Sequence, residues 1–276
     1  MTYFNFLLIF VIAPSLIMGA FAWYDHRHNQ TLPAVLTAYP ARFMLLAHVI
    51  IAVVYTTPWD NYLVATNVWW YDPALVTGYT IGWVPIEEYT FFVVQPIFTG
   101  LWLLTLARRW PQLLNHAPLP TPRSARSWYV TALITLIWLI SCLLLFAGSD
   151  ATTYLALQLS WALFPILIQL TFGADILWHH RRLIAAALIP TTLYLAAADT
   201  IAISAGTWTI DPAQSLPWLI GGILPFEEFL FFLLTNILIV FGLTLTLATV
   251  SQPRWLNFVH AMRQKFGRST PSRSSL

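Results

Sequence analysis

The feature that most constrains the fold of this chain is an acidic and aromatic motif that it contains twice. The first copy, residues 85–92, reads Pro-Ile-Glu-Glu-Tyr-Thr-Phe-Phe, and the second, residues 225–232, reads Pro-Phe-Glu-Glu-Phe-Leu-Phe-Phe. Each copy places two adjacent glutamates behind a proline, at the head of a long apolar segment. Only 11 of the 276 residues are acidic, and four of them lie in these two copies. Because carboxylates at the mouth of an apolar helix are costly, their default interpretation is functional.

The duplication extends upstream of the motif. In both copies two aspartates 12 positions apart precede the motif, with a tryptophan between them, and the second aspartate is followed by a proline, which is typical of a turn. The matched residues are Asp60 and Asp199, Trp69 and Trp208, and Asp72 and Asp211. Eight of the eleven acidic residues therefore occupy matched places, which indicates an internal repeat.

Hydropathy predicts an integral membrane protein. Apolar residues make up 58% of the chain, charged residues 9%, and the mean hydropathy is +0.69, whereas about a quarter of the residues in soluble domains are charged. Runs of about 20 apolar residues, enough to cross a bilayer, occur seven times. The predicted spans are 4–24, 42–64, 84–107, 128–147, 154–178, 184–204 and 221–249.

The basic residues predict the orientation of these spans. All 13 Lys and Arg residues fall in loops 1, 3 and 5 or in the C-terminal tail, on one side of the membrane. By the positive-inside rule the tail is cytoplasmic and the N-terminus is outside. Both glutamate pairs then lie at the outer side of a multi-pass protein of the cell membrane.

The repeat predicts an all-α membrane fold of two parallel three-helix units, helices 1–3 and 5–7. Two such units joined directly would be inverted relative to each other, so the additional helix 4 restores the parallel orientation. Both glutamate pairs then face one another at the same depth, across a pseudo-twofold axis along the membrane normal. The predicted boundaries are 1–109 for the first repeat, 110–150 for a linker with helix 4, 151–250 for the second repeat and 251–276 for a basic, Ser-rich cytoplasmic tail.

The doubled glutamates predict proton-transfer chemistry. With Pro85 as the first helical residue, Glu87 lies in the first turn and Glu88 follows about 100° around the helix. One carboxyl group then faces the cavity between the repeats and the other faces the loop or the headgroups. Four carboxyl groups in an apolar site do not all ionise, because burial and neighbouring charge favour protonation. A protonated carboxyl beside an ionised one is a proton donor with a proton acceptor.

Aromatic residues around the motif suggest a site that stabilises a cation, since each well-placed ring contributes roughly 1–2 kcal/mol. The implied substrate is an apolar alkene reached from within the bilayer. The candidates for substrate binding are Trp83, Phe91, Phe92, Phe229, Phe231 and Phe232, and those for a supporting role are Asp60, Asp199, Tyr89, Trp69 and Trp208. Other interpretations stay open: the tryptophans can form an interfacial belt, the phenylalanines can be plain packing residues, and the aspartates can orient a glutamate or relay protons.

Residue types that the sequence lacks exclude several classes. The only lysine is Lys265 in the tail, so a membrane-embedded retinal Schiff base cannot form. No predicted span carries paired histidines at ligand spacing, since His48 stands alone, which argues against a di-iron membrane oxygenase. No Gly-x-Gly-x-x-Gly run offers a flavin or nicotinamide site. Aspartate-rich diphosphate-binding motifs are absent as well. We therefore expect no metal, no cofactor and no nucleic-acid partner.

The twin motifs resemble those of the lycopene cyclases built from two small membrane subunits in some bacteria, or from their fusion in archaea and fungi. The match rests on residues 85–89 and 225–229, and the span count and the duplicated unit extend it over roughly residues 1–250. The second copy has Phe229 where the first has Tyr89. If that hydroxyl matters for proton transfer, the two halves are not equivalent, and the first half is the better candidate for carrying out the proton transfer.

The resemblance implies an intramolecular lyase, or isomerase, that closes rings without a redox change. A glutamic acid protonates the terminal double bond of a ψ-end, the next alkene attacks the cation, and a carboxylate removes a proton, which at both ends converts lycopene through γ-carotene to β-carotene. We expect Glu87 and Glu227 to form the central pair with Glu88 and Glu228 as partners, either pair member acting as acid or base. The implied partners are lycopene, the lipid membrane and other enzymes of carotenoid synthesis.

Two alternatives use the same carboxyl groups. One is another carotenoid end-group enzyme, either a hydratase that adds water to the cation or a cyclase that leaves a γ- or ε-type ring. The other is a transporter of protons or a small cation, although the acids sit near one face and no acidic chain crosses the membrane.

Overall fold

The computed structural model of the chain describes residues 1–117, 119, 125–148 and 150–267. Part of the predicted linker and the Ser-rich end of the predicted tail lie outside these ranges. Within them the protein is almost entirely helical, and three short antiparallel strand pairs cap one end of the helix bundle.

Seven helices are long and apolar enough to cross a membrane in the described part of the chain, as the hydropathy predicts. The first span consists of α1 (Tyr3–Leu7), a π-helical turn (Leu8–Ile12) and α2 (Ala13–Arg27). The other six are α3 (Ala41–Ala65), α4 (Ile86–Arg109), α5 (Ala125–Ala147), α6 (Thr153–His179), α7 (Arg181–Ser204) and α8 (Phe226–Leu247).

The two motif helices, α4 and α8, begin later than predicted because a hairpin precedes each one. Strand β2 (Thr80–Ile81) pairs with β3 (Val84–Pro85), and β5 (Leu219–Ile220) pairs with β6 (Leu224–Pro225). Pro85 is therefore the extended N-cap of α4, with φ −71° and ψ 154°, and not its first helical residue. The predicted start of the seventh span at residue 221 is wrong for the same reason. In the first hairpin, Gly82 has a φ of +67°, which a residue without a Cβ adopts at little cost.

A third strand pair joins the two halves of the chain, and hydropathy gives no sign of it. Strand β1 (Trp69–Tyr71) runs antiparallel to β4 (Trp208–Ile210), with Trp70 opposite Thr209. The two matched tryptophans, Trp69 and Trp208, thereby lie in one strand pair above the ends of α4 and α8.

Helices α4 and α8 form the centre of the bundle and are the two most buried spans in the described part of the chain. Glu87 and Glu88 in the first turn of α4, and Arg108 and Arg109 in its last, complement the helix dipole. Halfway along the bundle, amide and hydroxyl groups of α4, α7 and α8 satisfy one another where no water is available. This buried cluster consists of Gln95, Thr99, Thr192 and Asn236, with Asn236 Oδ1 accepting hydrogen bonds from Gln95 at 2.8 Å and Thr99 at 2.6 Å.

Ion pairs fasten the opposite end of the bundle. The carboxylate of Asp25, which is fully buried, receives two N–H groups of Arg109, the shorter at 2.8 Å. The first part of the predicted tail is a further helix, α9 (Ser251–Gly267), which the sequence analysis did not predict. Arg254 of α9 pairs with Asp175 at 2.7 Å and so holds α9 against the end of α6.

Candidate active site

The cavity between the two motif helices is formed around Glu88 and Glu228, the second glutamate of each copy. Both carboxyl groups are at least nine-tenths buried, and Asp199 of α7 faces the same space. The cavity has a volume of about 40 Å³, room for roughly three water molecules. Its remaining walls are almost wholly aromatic, and they comprise Tyr3, Phe6, Trp69, Tyr71, Phe91, Trp208, Phe231 and Phe232.

Three tyrosine hydroxyls hold the two cavity glutamates. Tyr3 at the head of α1 and Tyr71 of β1 both donate to Oε2 of Glu88, the latter at 3.1 Å. Tyr154 at the head of α6 donates to Oε1 of Glu228 at 2.6 Å. Burial, together with the nearby carboxyl groups of Asp60 and Glu88, raises the pKa of Tyr71 well above its usual range. Tyr71 therefore remains a neutral hydroxyl donor at physiological pH.

The two repeated aspartates are buried beside the glutamates but are bonded differently. Asp199 Oδ1 accepts the indole N–H of Trp208 at 3.0 Å. Asp60 is completely buried, and neither of its carboxyl oxygens has a hydrogen-bond partner among the described residues. Asp60 also interacts electrostatically with Glu88 and Glu228. The site thus contains four buried carboxyl groups, one of which has no fixed partner.

Glu87 and Glu227, predicted as the central pair, lie on the other side of their helices. Each accepts a backbone N–H from the loop that folds over the helix start, from Thr77 at 2.6 Å and from Leu216 at 2.7 Å. As predicted, one glutamate of each pair faces the cavity and the other faces the loop. The glutamate that faces the cavity is, however, the second of each pair and not the first. The reason is the loop: its backbone N–H groups need an acceptor, and the first glutamate of each pair is the one within reach.

Below the glutamates a larger cavity of about 320 Å³, the middle cavity, runs along the bundle between α3, α4, α6 and α8. Phe91 and Phe231 line both spaces and separate the carboxyl groups from this middle cavity. A third cavity of about 420 Å³, the distal cavity, continues toward α9, and His48 and Gln169 line both the middle and the distal cavities.

One face of α8 lines all three cavities. The lining positions recur every three or four residues, which is the repeat of one helical face. They are Glu228, Phe231, Phe232, Thr235, Leu238, Ile239, Gly242, Leu245 and Thr246. From Glu228 to Thr246 this face is about 27 Å long, at about 1.5 Å per residue. The arrangement is a long apolar groove with acidic groups at one end.

The groove is open sideways where a bilayer would surround the bundle. Near the glutamates α3 and α6 are in direct contact. The rings of Trp59 and Trp161 stack with their centroids 4.4 Å apart, and the Tyr55 hydroxyl donates to the Trp161 carbonyl at 2.9 Å. Below this contact Ile51 and Ile168, which line the middle cavity, are 60% and 58% exposed. A lipid-soluble molecule therefore has lateral access to the middle cavity.

Most of the candidate residues are brought together around the cavities by the structure, but Trp83, Tyr89 and Phe229, like Glu87 and Glu227, are not. Phe92 lines the middle cavity, and Trp69, Trp208, Phe91, Phe231, Phe232, Glu88, Glu228 and Asp199 line the small one. Asp60 is buried beside the small cavity without lining it, and Glu87 and Glu227 face the loops. Trp83 is 67% exposed, as expected of an interfacial aromatic residue. The Tyr89 hydroxyl donates to the Ile81 carbonyl and accepts from Asn61, so it fastens the first hairpin. Phe229 lines none of the three cavities.

Tyr3 and Tyr154 are the residues that the sequence analysis missed. Each follows a threonine at the start of the first helix of its repeat, as Thr2-Tyr3 and Thr153-Tyr154. The backbone N–H of each tyrosine donates to a loop carbonyl, that of Leu75 or of Gln214. A search for repeated dipeptides outside the motif would have found this pair.

Comparison with known proteins shows the family to which the chain belongs. The chain is 35% identical over 252 residues to a lycopene beta-cyclase of Halobacterium salinarum, which covers 88% of this chain and 95% of that protein. The chain belongs to the lycopene cyclase family. It is also 34% identical to a bifunctional lycopene cyclase/phytoene synthase of Podospora anserina, over 79% of this chain and 38% of that protein. The corresponding protein of Aspergillus oryzae is 38% identical over 71% of this chain and 33% of its own length.

No family model matches the chain, and no solved structure matches it. Its curated relatives nevertheless make it an enzyme, an intramolecular lyase of the isomerase class, and the seven apolar helices among the described residues suggest a multi-pass membrane protein. The transporter alternative is therefore not needed to explain the buried carboxyl groups of this cyclase.

Proposed function

We propose that this lycopene cyclase converts both ψ-ends of lycopene into β-rings, by way of the monocyclic γ-carotene, using Glu88 and Glu228 as its proton-transfer pair. The observation that carries the proposal is the shared cavity: two carboxyl groups from different halves of the chain face one small aromatic space. That space lies at the end of an apolar groove open to lipid. An acid–base pair at the end of a polyene-sized groove is what ring closure by protonation requires.

The reaction takes up one proton in its first step and releases one proton in its last step. Glu228 gives its proton to the terminal double bond of the ψ-end, and the tertiary cation that results is attacked by the neighbouring double bond, which closes the six-membered ring. Glu88 then removes a proton from the carbon next to the new cation and leaves the ring double bond. One proton is added and one is lost, so the molecular formula is unchanged. Between turnovers Glu88 loses its proton and Glu228 regains one by exchange with solvent, through the buried carboxyl groups of Asp60 and Asp199.

The hydrogen bonds favour this division of roles. Two tyrosine hydroxyls donate to one oxygen of Glu88, and hydrogen bonds donated to a carboxylate stabilise its charged form. Glu228 receives one such hydrogen bond and lies beside Asp199 in the cavity wall. A carboxyl group next to other carboxyl groups is readily recharged with a proton.

The aromatic walls supply the stabilisation that a carbocation needs. Phe91 and Phe231 lie where the reacting chain end enters the cavity, and Trp69 and Trp208 close its sides. Ring faces attract a cation by roughly 1–2 kcal/mol each when water is excluded. The same walls keep bulk water from the cation, which favours loss of a proton over hydration.

The membrane arrangement that we propose follows from the repeat and from the charges. The two three-helix units, α1–α4 with residues 1–109 and α6–α8 with residues 151–250, are parallel, and α5 joins them. The N-terminus is outside and the basic C-terminal segment is cytoplasmic, so the carboxyl groups lie near the outer face. Lycopene, dissolved in the bilayer, enters from the side.

Deuterium labelling tests the protonation step directly. Membranes containing the cyclase and supplied with lycopene in D₂O are expected to yield β-carotene with one deuteron per closed ring, because the carboxyl proton exchanges with solvent between turnovers. Mass spectrometry of the purified pigments measures this. Rings that close without taking up deuterium would contradict the proposed acid, and γ- or ε-type rings would contradict the position of the base.

The tyrosine donors give a second test. Tyr154→Phe and Tyr3→Phe each remove one hydroxyl from a cavity glutamate and are expected to lower the rate of ring closure by about 10²-fold, the usual effect of losing one preorganised donor. Tyr89→Phe is the matched control, because its hydroxyl bonds only outside the cavity. Rates per amount of folded protein are compared in detergent-solubilised samples. Equal rates for all three variants would remove the tyrosines from the mechanism.

A further inference from the structure

The distal cavity, at the far end of the groove, is the part of the structure that ring closure itself leaves unexplained. It is bounded by α3, α6, α8 and α9 and holds about 420 Å³, more than the middle cavity, although no acidic residue lines it. Gly242 of α8 forms one of its walls. A Cβ at this position would collide with the imidazole of His48 and crowd the amide of Gln169. The absence of a Cβ therefore gives the His48 ring the space that it occupies at the boundary between the middle and distal cavities.

The length of the groove determines what reaches the distal cavity. When one end of a C40 polyene is folded at the carboxyl groups, roughly 25 backbone bonds remain, and at about 1.2 Å per bond they extend roughly 30 Å. The α8 face from Glu228 to Thr246 is about 27 Å long. The end of the substrate that is not reacting therefore lies in or just beyond the distal cavity.

The two cyclisations place different groups in that cavity. In the first, the far end is a slender acyclic ψ-end. In the second, the substrate is turned around, so the far end is the ring already made, with its paired methyl groups. A cyclohexene ring is much wider than an acyclic chain and needs the larger cavity, whereas the acyclic end does not.

We propose, on the basis of the function proposed above, that the distal cavity is the binding site for the finished ring of the monocyclic intermediate and determines whether one or both ends are cyclised. Gly242 and Thr246 are its specificity-determining positions on α8. The groove is open at its side, so the monocyclic intermediate can leave and rebind turned around without passing its ring along the groove beside His48.

Filling the distal cavity tests the proposal. Thr246→Phe places an aromatic ring into it, and the Thr246 hydroxyl bonds only to carbonyls of its own helix, so no tertiary hydrogen bond is lost. We expect the rate on γ-carotene to fall at least tenfold further than the rate on lycopene, with γ-carotene accumulating. Gly242→Leu is expected to act in the same way. Ile237→Phe, a position on α8 that lines none of the three cavities, is the matched control and is expected to keep the native ratio of products.

The measurement is the ratio of monocyclic to bicyclic product, with lycopene and γ-carotene supplied separately to membranes. A native ratio in Thr246→Phe, or a proportional loss of both steps, would overturn the proposal. If Gly242→Leu does not fold, Thr246→Phe still decides. Should the native chain close no ring at all, the proposed function fails; should it close rings while Thr246→Phe changes nothing, only the role of the distal cavity fails.

Discussion

Replacing Glu228 by glutamine is expected to abolish ring formation, so that lycopene persists in a lycopene-accumulating host that expresses the variant. Glutamine keeps the size of the side chain and can still accept the Tyr154 hydrogen bond, but it cannot give up a proton to an alkene. General acid catalysis contributes about 10²–10⁴-fold, and Glu228 is the acid that we propose for this step. We therefore expect a loss of at least about 10³-fold, measured by chromatography of the extracted pigments.

The neighbouring glutamate is the control for this experiment. Glu227→Gln keeps an acceptor for the Leu216 N–H and changes no group that lines the cavity. Its activity per amount of folded protein is expected to stay within about tenfold of the native value. Loss of activity in Glu227→Gln together with retention in Glu228→Gln would restore the pair that the sequence alone suggested.

Glu88→Gln separates the base from the acid. If Glu88 removes the final proton, this variant still forms the cation but loses it slowly, and small amounts of other end groups, with the double bond displaced or with water added, are expected beside unreacted lycopene. Glu228→Gln is expected to give unreacted lycopene alone. The opposite pattern of products would exchange the two roles.

The second large effect is expected from filling the middle cavity. Thr235→Trp projects an indole into the space of about 320 Å³ between α3, α4, α6 and α8, and the Thr235 hydroxyl bonds only to its own helix. Because the polyene must lie there in both cyclisations, we expect both steps to fall by about 10²-fold or more, as for misplacement of a substrate. Pigment extraction and the level of folded protein are measured together.

Thr235→Trp and Thr246→Phe lie on the same face of one helix, about three turns apart, and they predict different outcomes. The first is expected to stop both ring closures and the second to slow mainly the later one. Ile237→Phe serves both as the control. Full activity of Thr235→Trp would show that the polyene binds elsewhere and would remove the groove from the mechanism.

The sequence predicts the spans and the family of this protein better than it predicts the geometry of the site. Seven apolar runs become seven helices because a bilayer leaves a chain few other ways to satisfy its backbone. The twin motif identifies the acidic residues because such groups are so costly in an apolar setting that few are present. Both inferences rest on large free energies.

The direction of each glutamate depends on smaller effects and was not predictable. Which of two adjacent residues faces the cavity follows from one hairpin and from a loop N–H that needs an acceptor, and hydropathy contains neither. Tyr71 reaches Glu88 only because β1 pairs with β4, a contact between residues far apart in the chain. Helix α9 was missed because its charges break the apolar pattern that identified the other helices.

The strand pair between β1 and β4 bears on how such an enzyme can be divided. Each half keeps its own glutamate and its own helix-head tyrosine, Tyr3 with Glu88 and Tyr154 with Glu228. Neither half, however, encloses a reaction chamber, since the walls of the small cavity and of the groove come from both. A gene split between the halves would therefore encode two polypeptides that are each inert, and catalysis would depend on their meeting in the bilayer and pairing edge to edge.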